Sequence, residues 1–373
     1  AEPTAVQGGA AGEGAGWERW ARFISRHRWP AVIVSLTVLL VLAAPVLGMR
    51  LGMSDDGTDP KSTTQRQAYD LLADGFGPGT NGPLLVSLSL TSGDTTTAAA
   101  VQQAVGQADG VDEAGPPQTN DDGTAAVIAV VPSSAPDAPA TDDLVEDLRD
   151  SVLPDAVQGT GAHAYVGGST ATFIDLGDRI ASRLLLFIGT VIALSFVLLM
   201  IVFRSILVPL KAAIMNLLSI GASYGVVVAI FQWGWQKGLV GLDETVPIVA
   251  FVPMMMFAIL FGLSMDYEVF LLSRIRESYQ RSGDNLASVV HGLASTGRVI
   301  SSAALIMISV FLAFVPNPDP TVKMLGLGLA VAVFVDATIV RLVLVPATME
   351  LLGPANWWLP RWLDRILPRI EIE

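Results

Sequence analysis

Long apolar runs alternate along the chain with one long polar segment. Six runs, at about residues 29–49, 184–203, 212–235, 247–273, 299–315 and 324–346, approach or exceed the roughly 20 residues an α-helix needs to cross ~30 Å of hydrocarbon. They are too long and too uniformly apolar for ordinary core helices, and predict six membrane spans. The polar segment between the first two runs has shorter periods. Residues 84–90 alternate apolar and small polar side chains, as a half-buried strand does. Residues 95–108 read as a helix, 110–115 as a weak strand followed directly by Pro116 and Pro117, and 125–131 as a strong strand. A helix over 142–152 with Thr141 as its N-cap and a strand over 162–167 complete a β-α-β-β-α-β order, the ferredoxin-like pattern. A helix over 62–72 and a glycine-rich turn over 75–82 precede it. That turn lacks the Lys-Ser/Thr ending of a phosphate-binding loop and reads as close packing near the membrane.

The expected fold is therefore a membrane α-helical bundle of six transmembrane helices with an α/β ferredoxin-like extracytoplasmic domain. Residues 1–28 form a linker and a juxtamembrane amphipathic segment, and 29–49 the first span. Residues 50–181 form the outer domain, 182–352 the other five spans, and 353–373 a second juxtamembrane segment. The Trp, Ile and Arg of 17–28 and 357–370 suit helices lying at the membrane surface, or simple anchors at the ends of spans.

Charge orients this plan. Only 15% of residues are charged, against about 25% in a soluble domain. The net charge of −13 argues against nucleic acid as a partner. Residues 50–180 hold 20 acids and 5 bases, a net of −15, which leaves 15 acids and 17 bases, a net of +2, for the remainder. Arginines and lysines gather at one set of helix ends: Arg19, Arg22, Arg26 and Arg28; Arg204 and Lys211; Arg274, Arg276, Arg281 and Arg298; Arg361, Arg365 and Arg369. The positive-inside rule makes these ends cytoplasmic, with both termini inside a plasma membrane and the acidic segment outside. The chain has no cysteine, and His27, His163 and His291 have no metal-ligand spacing, so neither a metal nor a cofactor is expected. It begins with Ala and opens on no signal peptide, which suggests the continuation of a longer polypeptide or a processed chain.

The fourth run carries the candidate chemistry. Asp266 lies eight residues before Arg274, ~12 Å along a helix, so with Arg274 at the headgroups Asp266 falls near mid-membrane. An ionised carboxylate there costs at least ~2.5–3.5 kcal/mol, and must be paired, wet or protonated. Exchange between charged and neutral forms is what a proton relay needs. Tyr267, ~100° round the helix, faces a different neighbour and can reach an acid on another span. A structural buried acid is the bland alternative for Asp266. Glu268 faces away from it, and suits a plain salt bridge as well as a transport role. Ser301 and Ser302 in the fifth run, with Asn216 and Ser219 in the third, offer hydroxyl and amide partners or only close packing. Asp336 and Arg341 stand five residues apart, ~140° on an α-helix, so no direct bridge between them is expected. Asp336 is expected to point inward and Arg341 to snorkel to the cytoplasmic side.

These residues resemble a known group. The run from Phe261 to Glu277, FGLSMDYEVFLLSRIRE, resembles the signature of the MmpL-type (mycobacterial membrane protein large) branch of the resistance–nodulation–division transporters. VFRS from Val202, TGRVI from Thr296, VDATIVR from Val335 and RQAYDLL from Arg66 add to the likeness, which runs from Trp17 to about Leu352. The resemblance implies a twelve-span protein in two repeats, each with an outer porter domain, that exports lipids or other hydrophobic molecules as protons enter. It implies proton carriage by a carboxylate–tyrosine pair in each repeat, here Asp266 and Tyr267, with Ser301, Ser302, Asp336 and Asn216 as candidate supports. This chain matches the second repeat alone. Its expected partners are hydrophobic cargo, protons, and an N-terminal transporter half in the same polypeptide or a separate subunit, or another copy. The competing reading is a lipid-binding sensor or scaffold that transports nothing. No catalytic constellation supports an enzyme.

Overall fold

The computed structural model describes residues 14–91 and 94–367. The expected linker lies outside the described residues as far as residue 13, as does the second juxtamembrane segment from residue 368 onward. The described residues open with an amphipathic helix, α1 (Gly14–Arg26), then α2 (Arg28–Ala43), which tightens into a 3₁₀ turn at Pro45. A short strand β1 (Leu51–Gly52) leads to α3 (Thr64–Phe76), where Thr63 caps the helix by accepting a hydrogen bond from the Arg66 amide. Next come β2 (Leu84–Ser89), α4 (Thr95–Gly106, capped by Asp94), β3 (Val111–Ala114), β4 (Gln118–Thr119) and β5 (Ala125–Pro132). They are followed by α5 (Pro139–Asp147), a π-helical turn, α6 (Leu153–Ala156) and β6 (His163–Gly167).

The sheet runs β3–β5–β2–β6 with every neighbour antiparallel, and β4 also pairs with β5. Strict alternation in β2 buries Leu84, Val86 and Leu88, which pack with Ile128 and Val130 of β5 beneath Val101, Val105, Leu144 and Leu148 of the helical layer. Leu85, Val127 and Tyr165 remain exposed on the opposite face. One boundary differs from expectation. Thr141 is not an N-cap: Pro139, with its preset φ and no amide proton to lose, starts α5 earlier, with Ala138 as the cap. The Thr141 hydroxyl instead donates to the Ala135 carbonyl inside the core.

The remaining helices are α7 (Ser169–Phe203), α8 (Leu207–Val227, ending in a π-helical turn), α9 (Phe251–Ser282), α10 (Asn285–Leu312) and α11 (Pro320–Val335). The chain passes directly from α11 into a π-helical segment, Asp336–Leu344, then into α12 (Val345–Leu352), and α13 (Arg361–Ile366) is the last described helix. Strand β7 (Ile248–Val249) precedes α9 and pairs parallel with β1, clipping the start of the acidic segment to the bundle.

Among the described residues, six helical segments are long and apolar enough to cross a membrane: Arg28–Gly48, Ser169–Phe203, Leu207–Gln232, Phe251–Ser282, Asn285–Leu312 and Pro320–Trp357. Four outrun the expected spans, the last of them running on through the π-helical segment to Trp357. Helix α7 starts at Ser169 because Asp175, Asp178, Arg179 and Arg183 end an apolar run without ending a helix. Helices α9 and α10 likewise continue past Arg274 and Arg298 and meet at Gly283 (φ 67°), with Asp284 capping α10. Helices α8 and α11 are the most enclosed, joined where the Ser223 hydroxyl donates to the Gly328 carbonyl at 2.7 Å. Helix α2 lies so close to α8 that a Cβ on Gly225 would collide with the Leu42 carbonyl oxygen.

Candidate functional site

Helices α8 and α9 and the π-helical segment meet around a buried polar cluster. Ser264 of α9 is its hub. The Ser264 hydroxyl lies 2.7 Å from Asn216 Oδ1 and 3.1 Å from Asp336 Oδ1, and accepts from Arg341 Nη2 at 3.0 Å. Arg341 Nη2 also donates to the Ser264 carbonyl, and Arg341 Nε donates to Asp336 Oδ2 at 2.7 Å.

The Asp336–Arg341 bridge overturns the expectation that residues five apart point different ways. Hydrogen bonds in a π-helix run from i to i+5, which stacks Asp336 and Arg341 on one face. Arg341 does not snorkel either; it is 2% exposed and turned into the bundle. The wide turn lies directly before Pro346, which has no amide proton to give the Leu342 carbonyl four residues back. That carbonyl accepts from Trp20 Nε1 of α1 at 2.9 Å instead. A tryptophan in α1 thus satisfies a backbone group of the segment that holds the ion pair.

Tyr267 faces the same cluster. Its ring lies 5.5 Å from the Arg341 guanidinium carbon, a cation–π contact, and its hydroxyl approaches Met307 Sδ of α10 at 3.8 Å. It reaches no acid of another span among the described residues. Asn216, Ser264, Tyr267, Asp336 and Arg341 line a cavity of about 20 Å³, room for one water-sized molecule, closed by apolar residues that include Ile300 and Ala304.

Asp266 is not buried in the bundle. It is exposed on a stripe of α9 formed by Met255, Ile259, Gly262, Asp266 and Phe270, at spacings of three and four, and among the described residues it makes no hydrogen bond or ion pair. Adjacent residues thus part company: Asp266 looks out of the bundle and Tyr267 into it. Ser302 is exposed and Ser301 half-buried on α10, and neither bonds Asp266. Glu268 is buried, beside Arg341, Lys211, Asp336 and the Asn216 amide. Ser264 and Lys211 were not singled out from sequence as site residues. The signal for the first was its place four residues before Glu268, which puts both on one face.

Comparison with known proteins closes the reading. The model of the MMPL family matches residues 86–369. The chain is 40% identical over 357 residues to the membrane protein YdfJ of Bacillus subtilis, covering 95% of this chain and 49% of that one. It is 40% identical over 364 residues to the mycolic acid-containing lipids exporter MmpL11 of Mycolicibacterium smegmatis, covering 96% and 38%. It is also 40% identical over 363 residues to the heme uptake protein MmpL11 of Mycobacterium tuberculosis, covering 96% and 37%. The chain spans about half, or less, of the length of these relatives. With six apolar helices and a family match over most of its length, this chain is a multi-pass membrane protein of the MMPL family.

Proposed function

We propose that this chain is the C-terminal half of a proton-driven exporter of lipids or other hydrophobic molecules. The relatives' names support the cargo class: one exports mycolic acid-containing lipids and another takes up heme. The distribution of arginines supports an orientation with both termini cytoplasmic and the acidic segment outside. The antiparallel order β3–β5–β2–β6, with helices on one face, supports a ferredoxin-like porter unit in that segment.

The observation that carries the proposal is the exposed Asp266. A carboxylate facing lipid near mid-bilayer costs ~2.5–3.5 kcal/mol, and one facing a second protein half does not. The stripe around Asp266 is then the face that meets the N-terminal half, where an equivalent pair completes the relay. Asp266 gains and loses the proton, while Tyr267, held against Arg341 on the inner face, completes the pair. Because β7 joins the start of α9 to β1, a shift of α9 on protonation moves the root of the outer domain. Heme import is a second cargo reading, resting on the name of one relative.

The test is Asp266→Asn in the full-length protein, reconstituted in vesicles under a pH gradient. The expected result is loss of proton-coupled lipid movement at unchanged folding. Retained coupled movement removes Asp266 from the relay. A wild-type protein that binds lipid tightly and moves neither lipid nor protons is a sensor instead.

A further inference from the structure

Two buried charged groups, Lys211 and Glu268, flank the cluster at Ser264. Lys211 is 7% exposed and Glu268 is 4% exposed, and each keeps an atom, Lys211 Nζ and Glu268 Oε1, with no hydrogen-bond partner. Their placement is regular. Consecutive spans α8 and α9 run antiparallel. Lys211 stands five residues before Asn216 on α8, and Glu268 stands four residues after Ser264 on α9. Both steps lead the same way, ~7 Å and ~6 Å toward the arginine-rich end of the bundle. The hydrogen-bonded rung Ser264–Asn216 is therefore followed by an open rung, Glu268–Lys211.

An open rung is a poor structural device. Two buried charges recover their desolvation cost only with close geometry, such as the 2.7 Å contact of Arg341 Nε with Asp336 Oδ2, and with hydrogen bonds. Glu268 and Lys211 attract each other without a hydrogen bond between them among the described residues. The groups facing Glu268 are Lys211 of α8, Arg341 and Asp336 of the π-helical segment, and the Asn216 amide. A buried carboxyl group with one oxygen free, one helical turn below a polar cavity and beside a buried lysine, is placed to take up and pass on a proton.

We infer that Glu268 and Lys211 form the inward leg of the proton path, an inference that rests on the proton-coupled reading above. The proton arriving from the cavity binds Glu268 Oε1 and takes the couple from neutral to a net charge of +1. The Lys211 ammonium releases a proton toward the arginine-rich end and becomes a neutral amine. Glu268 then passes its proton to that amine. One proton has entered at the carboxylate, one has left at the amine, and the couple is neutral again.

The test is proton influx into vesicles carrying the full-length protein, followed with a trapped pH dye, for wild type, Asp266→Asn and the neutral pair Glu268→Gln/Lys211→Met. Replacing both partners leaves no unpaired buried charge, so the double variant is expected to melt near wild type. Its influx is expected to fall by about 100-fold, the scale of a lost proton-transfer group. Wild-type influx in the double variant overturns the inference, and leaves the proton-coupled reading intact when Asp266→Asn is inactive. No influx in wild type overturns both. If the double variant fails to fold, Glu268→Asp decides: a shortened relay acid shifts the pH profile of influx, and an unchanged profile and rate overturn the inference.

Discussion

Arg66 is the strongest test of how the acidic segment is fastened to the bundle. Its side chain is 7% exposed, and each of its three nitrogens donates locally. Nε donates to Asp70 at 2.7 Å, Nη2 to Glu244 at 2.6 Å, and Nη1 to the Gly57 carbonyl and, at 3.3 Å, to the Asp59 carbonyl. Glu244 belongs to the connection between α8 and α9, so the contact bridges the two parts of the protein. The partners are unequal. Glu244 is 48% exposed and can be rehydrated, so Glu244→Gln is expected to cost about 0.5 kcal/mol, the scale of an exposed ion pair. Arg66→Met keeps most of the buried stem but strips two carbonyls and two carboxylates of their donor. At 1.5–3 kcal/mol for a hydrogen bond to a charged group, partly offset by hydration of the exposed acids, the expected cost is about 2–4 kcal/mol. The assay is thermal unfolding in detergent, with hydrogen exchange over residues 54–63. Arg66→Met should lower the melting point several-fold more than Glu244→Gln and deprotect the Thr58 amide, which bonds the Asp55 carbonyl at 3.0 Å. Equal losses from the two variants would refute the claim that the arginine organises this junction.

Gly225→Val should cost more than about 3 kcal/mol and strip α2 from α8, whereas Gly221→Ala, one turn away, meets the Ala43 Cβ at an ordinary 3.5 Å and should be tolerated. The yield of monodisperse protein separates the two. Asp55 lines a cavity of about 930 Å³ walled by α5 and the first half of α7, where burial, and then Asp137, push its pKa up from 3.8 to about 6. A carboxyl raised on folding stabilises the fold below about pH 4, and that contribution is lost as pH rises through about 6. Asp55→Asn, which keeps the cap on the Gly57 amide, should therefore add about 1 kcal/mol at pH 7 after solvent screening and nothing at pH 4, read from melting points across that range. Trp20→Phe removes the donor to Leu342 and should cost about 1 kcal/mol, with faster exchange confined to residues 336–346. Exchange unchanged there would mean that the indole does not support the π-helical segment.

Hydropathy located all six spans because the cost of exposing peptide groups to lipid leaves little freedom in how a chain crosses it. Helix ends were less legible. Asp178, Arg179 and Arg183 stop the apolar run before α7 yet continue the helix, since leaving a bilayer and leaving a helix are different events. In the outer segment the alternation of β2 and β5 was plain, because one face of each strand packs under helices and the other does not. Thr141 was misplaced because a threonine before an apolar run resembles a cap, and Pro139 two residues earlier is the stronger start signal.

The candidate site was half legible, for a reason that lies in the helix geometry. Placing Asp266 and Tyr267 on different faces required only 100° per residue over one step, and α9 is α-helical there. Placing Asp336 against Arg341 required the same rule over five steps in a segment that does not obey it. The warning was Pro346, which leaves the Leu342 carbonyl without an amide donor and favours a wider repeat upstream. What no periodicity reveals is which face of α9 is covered. Its polar face, Ser264 and Glu268, meets α8 and the π-helical segment; its outer stripe, apolar except for Asp266, is exposed among the described residues. A span that buries its polar side and presents an acid on its apolar side is a stable membrane element only when something else completes it. The polar cluster is therefore the part of the site built by the described residues, and in the proposed exporter a second half supplies the environment of Asp266.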